Sequence, residues 1–71
     1  MNEYLVAVIH ADAWKRQCAK MTPEERSRFA PDGTLGEVGM FEGARIIVQD
    51  SLPSEWRQWG YLNRDLPAVF L

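Results

Sequence analysis

Six apolar residues in unbroken succession, Tyr4 to Ile9, stand between Glu3 and His10. The stretch Glu-Tyr-Leu-Val-Ala-Val-Ile is rich in β-branched side chains and does not alternate with polar ones, which predicts a strand covered on both faces and central in its sheet. The same run limits other outcomes. It is shorter than a secretory apolar region and far short of the roughly 20 residues that cross a bilayer. The preceding Met-Asn-Glu carries no basic charge. The expectation is a chain without membrane attachment, working in the cytoplasm.

After this strand the pattern becomes helical. Asp12 supplies a capping side chain, and Trp14, Cys18 and Met21 follow at spacings of four and three on one face, with Lys15, Arg16 and Lys20 opposite. A second, shorter helix opens at Thr22. Thr22 serves as N-cap, Pro23 suits the first helical position and Glu25 completes a capping box. Glu24 and Glu25 in the first turn and Arg26 and Arg28 toward the end match the helix dipole, and the helix ends at Phe29 before the turn Pro31-Asp32-Gly33.

Leu35 to Phe41 and Ala44 to Gln49 flank Glu42-Gly43, which predicts a tight hairpin. That register sets Val38 opposite Ile47 and Gly39 opposite Ile46, with Gly36 and Gly39 marking a bulge. Ser54 can cap a short helical segment, Glu55 to Trp59, stopped by Gly60. Tyr61-Leu62, a turn at Asn63-Arg64-Asp65 and a last strand, Leu66 to Leu71, complete the chain, with Pro67 placing that strand at an edge. The reading is one α+β domain over residues 1–71, in the order β-α-α-β-β-(α)-β, with one or two helices on one face of a small, mostly antiparallel sheet.

Composition narrows the function classes. With 71 residues, 46% of them hydrophobic and eight of them aromatic, the chain can fold around one modest core but not disperse as a disordered tail. Ten acidic residues against eight basic ones leave a net charge of −2. A nucleic-acid domain concentrates Lys and Arg in a stripe. Here the basic-leaning first half is interrupted by Glu24 and Glu25, so direct nucleic-acid binding is not expected. Glu37, Glu42, Asp50, Glu55 and Asp65 are too scattered to imitate a nucleic acid.

The chemistry-bearing residues are few. Cys18 and His10 are the only ones of their types, which rules out an internal disulfide and any three- or four-ligand metal set built from His and Cys. A nucleophile needs a base and an orienting group within hydrogen-bond reach. His10, Asp12 and Cys18 are the sole such trio on paper. Cys18 shares the apolar helix face, however, and reads as a buried thiol, while His10 at a strand end reads as a structural hydrogen-bonding group. Gly33, Gly36 and Gly39 precede a strand and therefore do not form a phosphate loop. Neither catalysis nor a cofactor is expected.

Trp56, Arg57, Trp59 and Tyr61 belong to the residue types that dominate binding hot spots. Two readings apply to the tryptophans: three apart on a helical turn they pack on the sheet as core, or they form an interface. Arg57 falls on the other side of that turn. The hairpin tip, Phe41-Glu42, is a second candidate contact. A protein partner is thus the expectation, with self-association into a small oligomer compatible with it.

The order of pieces also resembles a known family. Tyr4-Leu5-Val6-Ala7-Val8-Ile9-His10, a helix opening at Asp12, Gly36-Glu37-Val38-Gly39, Gly43-Ala44-Arg45-Ile46-Ile47-Val48 and Leu52-Pro53 together resemble the peripheral-domain region of tailed-bacteriophage major capsid proteins, over about residues 4–53. Ala11 stands where that family often has proline, and Trp56 onward has no counterpart. The resemblance implies a phage or prophage origin, for which two roles are expected. One is an inhibitor of the anti-CRISPR type that occupies a surface of a host defence complex in the bacterial cytoplasm. The other is an accessory or decoy component that joins a phage coat protein, in the virion.

Overall fold

The structure, a computed structural model, describes residues 5–52 and 58–70. Strand β1 (Leu5–His10) passes directly into helix α1 (Ala11–Ala19), and the four-residue helix α2 (Pro23–Arg26) follows. The remaining elements are strands β2 (Gly36–Phe41), β3 (Ala44–Gln49), β4 (Gln58–Tyr61) and β5 (Pro67–Phe70). The described strands form one sheet in the order β2-β3-β1-β5-β4. Only β1 and β3 run parallel; the other three neighbouring pairs are antiparallel. This is the small α+β architecture that the sequence implies, with β1 in the middle.

Period-two alternation divides each strand between two faces. Ala7 and Ile9 of β1, Ala44, Ile46 and Val48 of β3 and Ala68 of β5 join Trp14, Cys18 and Met21 in a single apolar cluster. Trp14, only 6% exposed, sits among aromatic rings, with Phe29 at 5.1 Å and Phe41 at 5.9 Å between centroids, both edge-to-face. Such pairs contribute about 0.5–1.5 kcal/mol beyond area burial. The intervening residues Val8, Ile47 and Val69 point to the second face, which carries no helix among the described residues.

Local chemistry explains the element ends. The N-cap of α1 is His10 rather than the expected Asp12: its Nδ1 accepts the Asp12 backbone N–H at 3.1 Å. With no linker between strand and helix, the last strand residue is the one placed to cap. At the other end of α1 the Arg26 guanidinium donates to the Cys18 carbonyl oxygen at 3.0 Å, satisfying a helix-end acceptor from α2. The capping box of α2 forms as read: Thr22 Oγ1 accepts the Glu25 N–H, and Glu25 Oε1 accepts the Thr22 N–H. The helix ends at Arg26, short of the expected Phe29, and the chain continues in tight turns, Arg28 N–H to Glu25 C=O and Phe29 N–H to Arg26 C=O.

In the β2–β3 hairpin Glu42 and Gly43 both have positive φ, 52° and 78°, as a two-residue turn matched to sheet twist requires. Gly39 does pair with Ile46, but Ile47 is opposite Glu37 and not Val38. The register shifts between Glu37 and Gly39, leaving Val38 as the bulged residue. Its carbonyl oxygen accepts the Ala30 N–H at 3.0 Å and its side chain is buried, so the bulge ties the loop before β2 to the core.

Two readings of the C-terminal third need correction. Strand β5 is not an edge; it lies between β1 and β4. Pro67 is tolerated there because it is the first residue of the strand, opposite Tyr61, while the β1 ladder reaches only Val69 and Phe70. The helical segment read over Glu55 to Trp59 is also revised, since Gln58 and Trp59 belong to β4. At Gln58 and Trp59 the ladder to β5 sets the conformation; Ser54 and Glu55, where that helical segment would begin, lie outside the described residues. Trp56 and Arg57 fall outside the described residues.

Candidate protein-binding surface

Strand β4 is the sheet edge beyond β5. Trp59 and Tyr61, two apart, project from the same side of it. Trp59 pairs with Val69, and Val69 pairs with Val8, so the aromatic pair stands on the second face, which carries no helix among the described residues. Trp59 is 60% exposed and Tyr61 66% exposed, the highest among the large apolar side chains described as exposed. The reading of Trp59 as core is therefore overturned, because an edge position removes the neighbour that would bury it. Gly60, between them, turns to the helix face, where a Cβ would meet Phe70 Cε2 at 3.2 Å. Phe70 thus fills the inner side of β4, and the outer side carries the two rings.

The hairpin tip divides in two. Phe41 is half-buried and packs on the core through its contacts with Trp14 and Phe29. It pairs with Ala44 on the helix face, which gives its ring an aromatic pocket to enter. Glu42, by contrast, is exposed and is the only non-glycine residue with positive φ among those described. Left-handed backbone costs an ordinary L-residue roughly 1–2 kcal/mol. A glutamate held in this conformation at a tip remains a candidate contact.

A groove of about 410 Å³ lies at the carboxyl ends of β1 and β3, between the start of α1 and the loop entering β2. Ala11, Trp14, Leu35 and Val48 supply apolar lining, with Asp12, Asp32 and Asp50 around it. Three separate chain segments meet there. No local sequence pattern announces it; only the sheet order does.

The paper trio of His10, Asp12 and Cys18 is not assembled. His10 Nδ1 is occupied as acceptor for the Asp12 N–H, and in that state the Asp12 carboxylate, 3.8 Å away, is a polar neighbour and not an ion-pair partner. Cys18 is eight residues further along, about 12 Å up the helix axis at 1.5 Å per residue. Burial in the apolar cluster pushes its thiol pKa up, Asp32 adds to this, and Arg26 offsets part of it. A protonated thiol is a poor nucleophile. Among the described residues no cluster of three or more His, Cys, Asp or Glu could hold a metal ion, and no helix is long and apolar enough to cross a membrane.

Compared with protein-family models, with curated proteins and with solved structures, the chain matches none of them significantly.

Proposed function

We propose that this chain is a non-enzymatic binding domain that acts by occupying the surface of another protein. The observation that carries the reading is the exposure of Trp59 and Tyr61 side by side on edge strand β4. Large aromatic rings in a chain this small are needed inside, and leaving two in solvent forgoes their burial energy unless a partner covers them. Trp and Tyr contribute most to interfaces when they enter a desolvated contact. Glu42, displayed on the hairpin tip, adds a charged contact.

In its most concrete form the proposal is a phage- or prophage-encoded inhibitor of the anti-CRISPR type, acting on a host defence complex in the bacterial cytoplasm. The capsid-like order of residues 4–53 supports a phage origin, and the small size suits action by steric occupation. The alternative, an accessory or decoy partner of a phage coat protein, draws on the same resemblance. Purified protein titrated against purified defence complexes, and sedimented separately with procapsids, discriminates the two. Retention by a defence complex supports the first reading and co-sedimentation supports the second. Retention by neither contradicts both.

A further inference from the structure

The groove at the carboxyl ends of β1 and β3 takes no part in the contact surface on β4 and lies toward the opposite edge of the sheet. Its lining residues, from Ala11 to Asp50, fall within the continuous described stretch. The floor is apolar: Trp14 and Val48 are buried beneath it, while Leu35 is 52% exposed at its side. The rim is acidic. Asp12, Asp32 and Asp50 come from three separate segments, and Lys15 is the one cation among the lining residues described. Three carboxylates against one ammonium leave the rim negative, and neither Asp32 nor Asp50 is in a salt bridge with a described residue. The N-terminus of α1 also opens here, and such an end attracts anions. Its partial charge is only roughly +0.5, however, and Asp12 stands in the first turn with its backbone N–H already taken by His10. The balance stays negative.

We propose that this groove takes an arginine side chain of a partner protein, its alkyl stem against Leu35 and the apolar floor and its guanidinium among the three aspartates. An apolar floor beneath an acidic rim matches a side chain that is apolar along its stem and cationic at its tip. Arginine suits it better than lysine. The guanidinium is weakly hydrated and presents five donors in one plane, so it can serve carboxylates from different segments, whereas an ammonium is a compact and strongly hydrated charge. The groove, about 410 Å³, lies within the roughly 300–1,000 Å³ of small-ligand sites, which is room for one long side chain and its flanking backbone. The proposal rests on the partner-binding reading for the source of the arginine, while the groove itself is tested on the chain alone.

The probe is N-acetyl-arginine methylamide, titrated into the full chain and followed by amide NMR, with the matching lysine, norleucine and glutamate compounds beside it. The arginine probe should shift the amides of Lys15, Thr34 and Leu35 and the Trp14 indole N–H, with a Kd on the order of millimolar, as one side chain sustains. Lysine should bind more weakly, and norleucine and glutamate more weakly still. Raising salt from about 0.05 M to about 0.5 M should weaken the arginine probe, because the rim charges are exposed. Asp32→Asn/Asp50→Asn, isosteric changes at exposed positions, should lower its affinity about tenfold with the rest of the spectrum unchanged. Equal binding of norleucine makes the groove merely apolar, and preference for glutamate makes it an anion site at the helix end; either overturns the proposal. Equal or tighter binding of lysine overturns the choice of arginine, and so does an arginine titration that shifts none of these resonances or ignores the double variant. Such a failure leaves the Trp59–Tyr61 contact standing, since the probe does not reach β4.

Discussion

Trp59 and Val69 face one another across the β4–β5 ladder, yet Val69 is fully buried and Trp59 is 60% exposed. One step along a ladder thus separates core from surface. Trp14, at the centre of the aromatic cluster, is the opposite case. Trp14→Ala should lower stability by about 3–5 kcal/mol, the range for deleting a buried large ring, whereas Trp59→Ala should cost below about 1 kcal/mol. Thermal and urea melts of the two variants check this. Equal losses would show that Trp59 is core.

Gly39 is a second fixed point. Its φ is +145°, and a Cβ there would lie 2.8 Å from Phe29 Cδ1 and 3.3 Å from the Arg28 carbonyl oxygen. Backbone strain and overlap act together, and Phe29 is held by Trp14. Gly39→Ala should therefore destabilise by about 1–3 kcal/mol, the usual cost of overpacking. Gly33, also at positive φ but with nothing within 4 Å, should show only the smaller backbone effect when changed to Ala. Denaturation midpoints of the two variants, measured together, separate clash from strain.

Glu42 offers a test in which stability and function move in opposite directions. Asn tolerates left-handed backbone better than Glu, so Glu42→Asn should stabilise the hairpin by a few tenths to about 1 kcal/mol. If the glutamate is retained for contact, the same variant should weaken partner binding. A higher melting temperature with reduced affinity is the expected pair of results.

The carboxyl of Glu25 is held below the usual carboxylate range, first by the Thr22 backbone N–H and then by the Thr22 hydroxyl. A depressed folded-state value means that its contribution to stability is present above the unfolded value of about 4.3 and is lost as pH falls through the folded one. Thr22→Ala removes the hydroxyl but keeps the backbone N–H, the larger cause, so the Glu25 titration should move only part of the way up toward its ordinary value. An NMR pH titration of the Glu25 side chain reads the change directly, and an unaltered midpoint would contradict a contribution from the Thr22 hydroxyl.

Much of this fold is legible in short-range chemistry. The apolar run before His10, the Trp14-Cys18-Met21 spacing, the Thr22 capping box and the Glu42-Gly43 turn all report structure within a few residues of themselves. What escaped was decided by pairing across the chain. The sequence around Pro67 describes an edge, but β1 and β4 take up both sides of β5. Ser54 to Trp59 carries a helix signal, while at Trp59 the ladder with Val69 sets the conformation. Phe41 looks exposed because it adjoins a turn, and it turns inward because Trp14 and Phe29 form a pocket beneath it. Of the candidate surface, the sequence indicated Trp59, Tyr61 and Glu42 by residue type. Their exposure followed only from strand order.

The account rests on Trp59 and Tyr61 acting as a contact surface. Its most direct test measures the affinity of one identified protein partner for the wild-type chain and for the Trp59→Ala/Tyr61→Ala variant, with thermal melts of both. The account predicts at least a tenfold loss of affinity in a variant that still folds, a step of about 1.4 kcal/mol. Undiminished binding by a folded variant would contradict it.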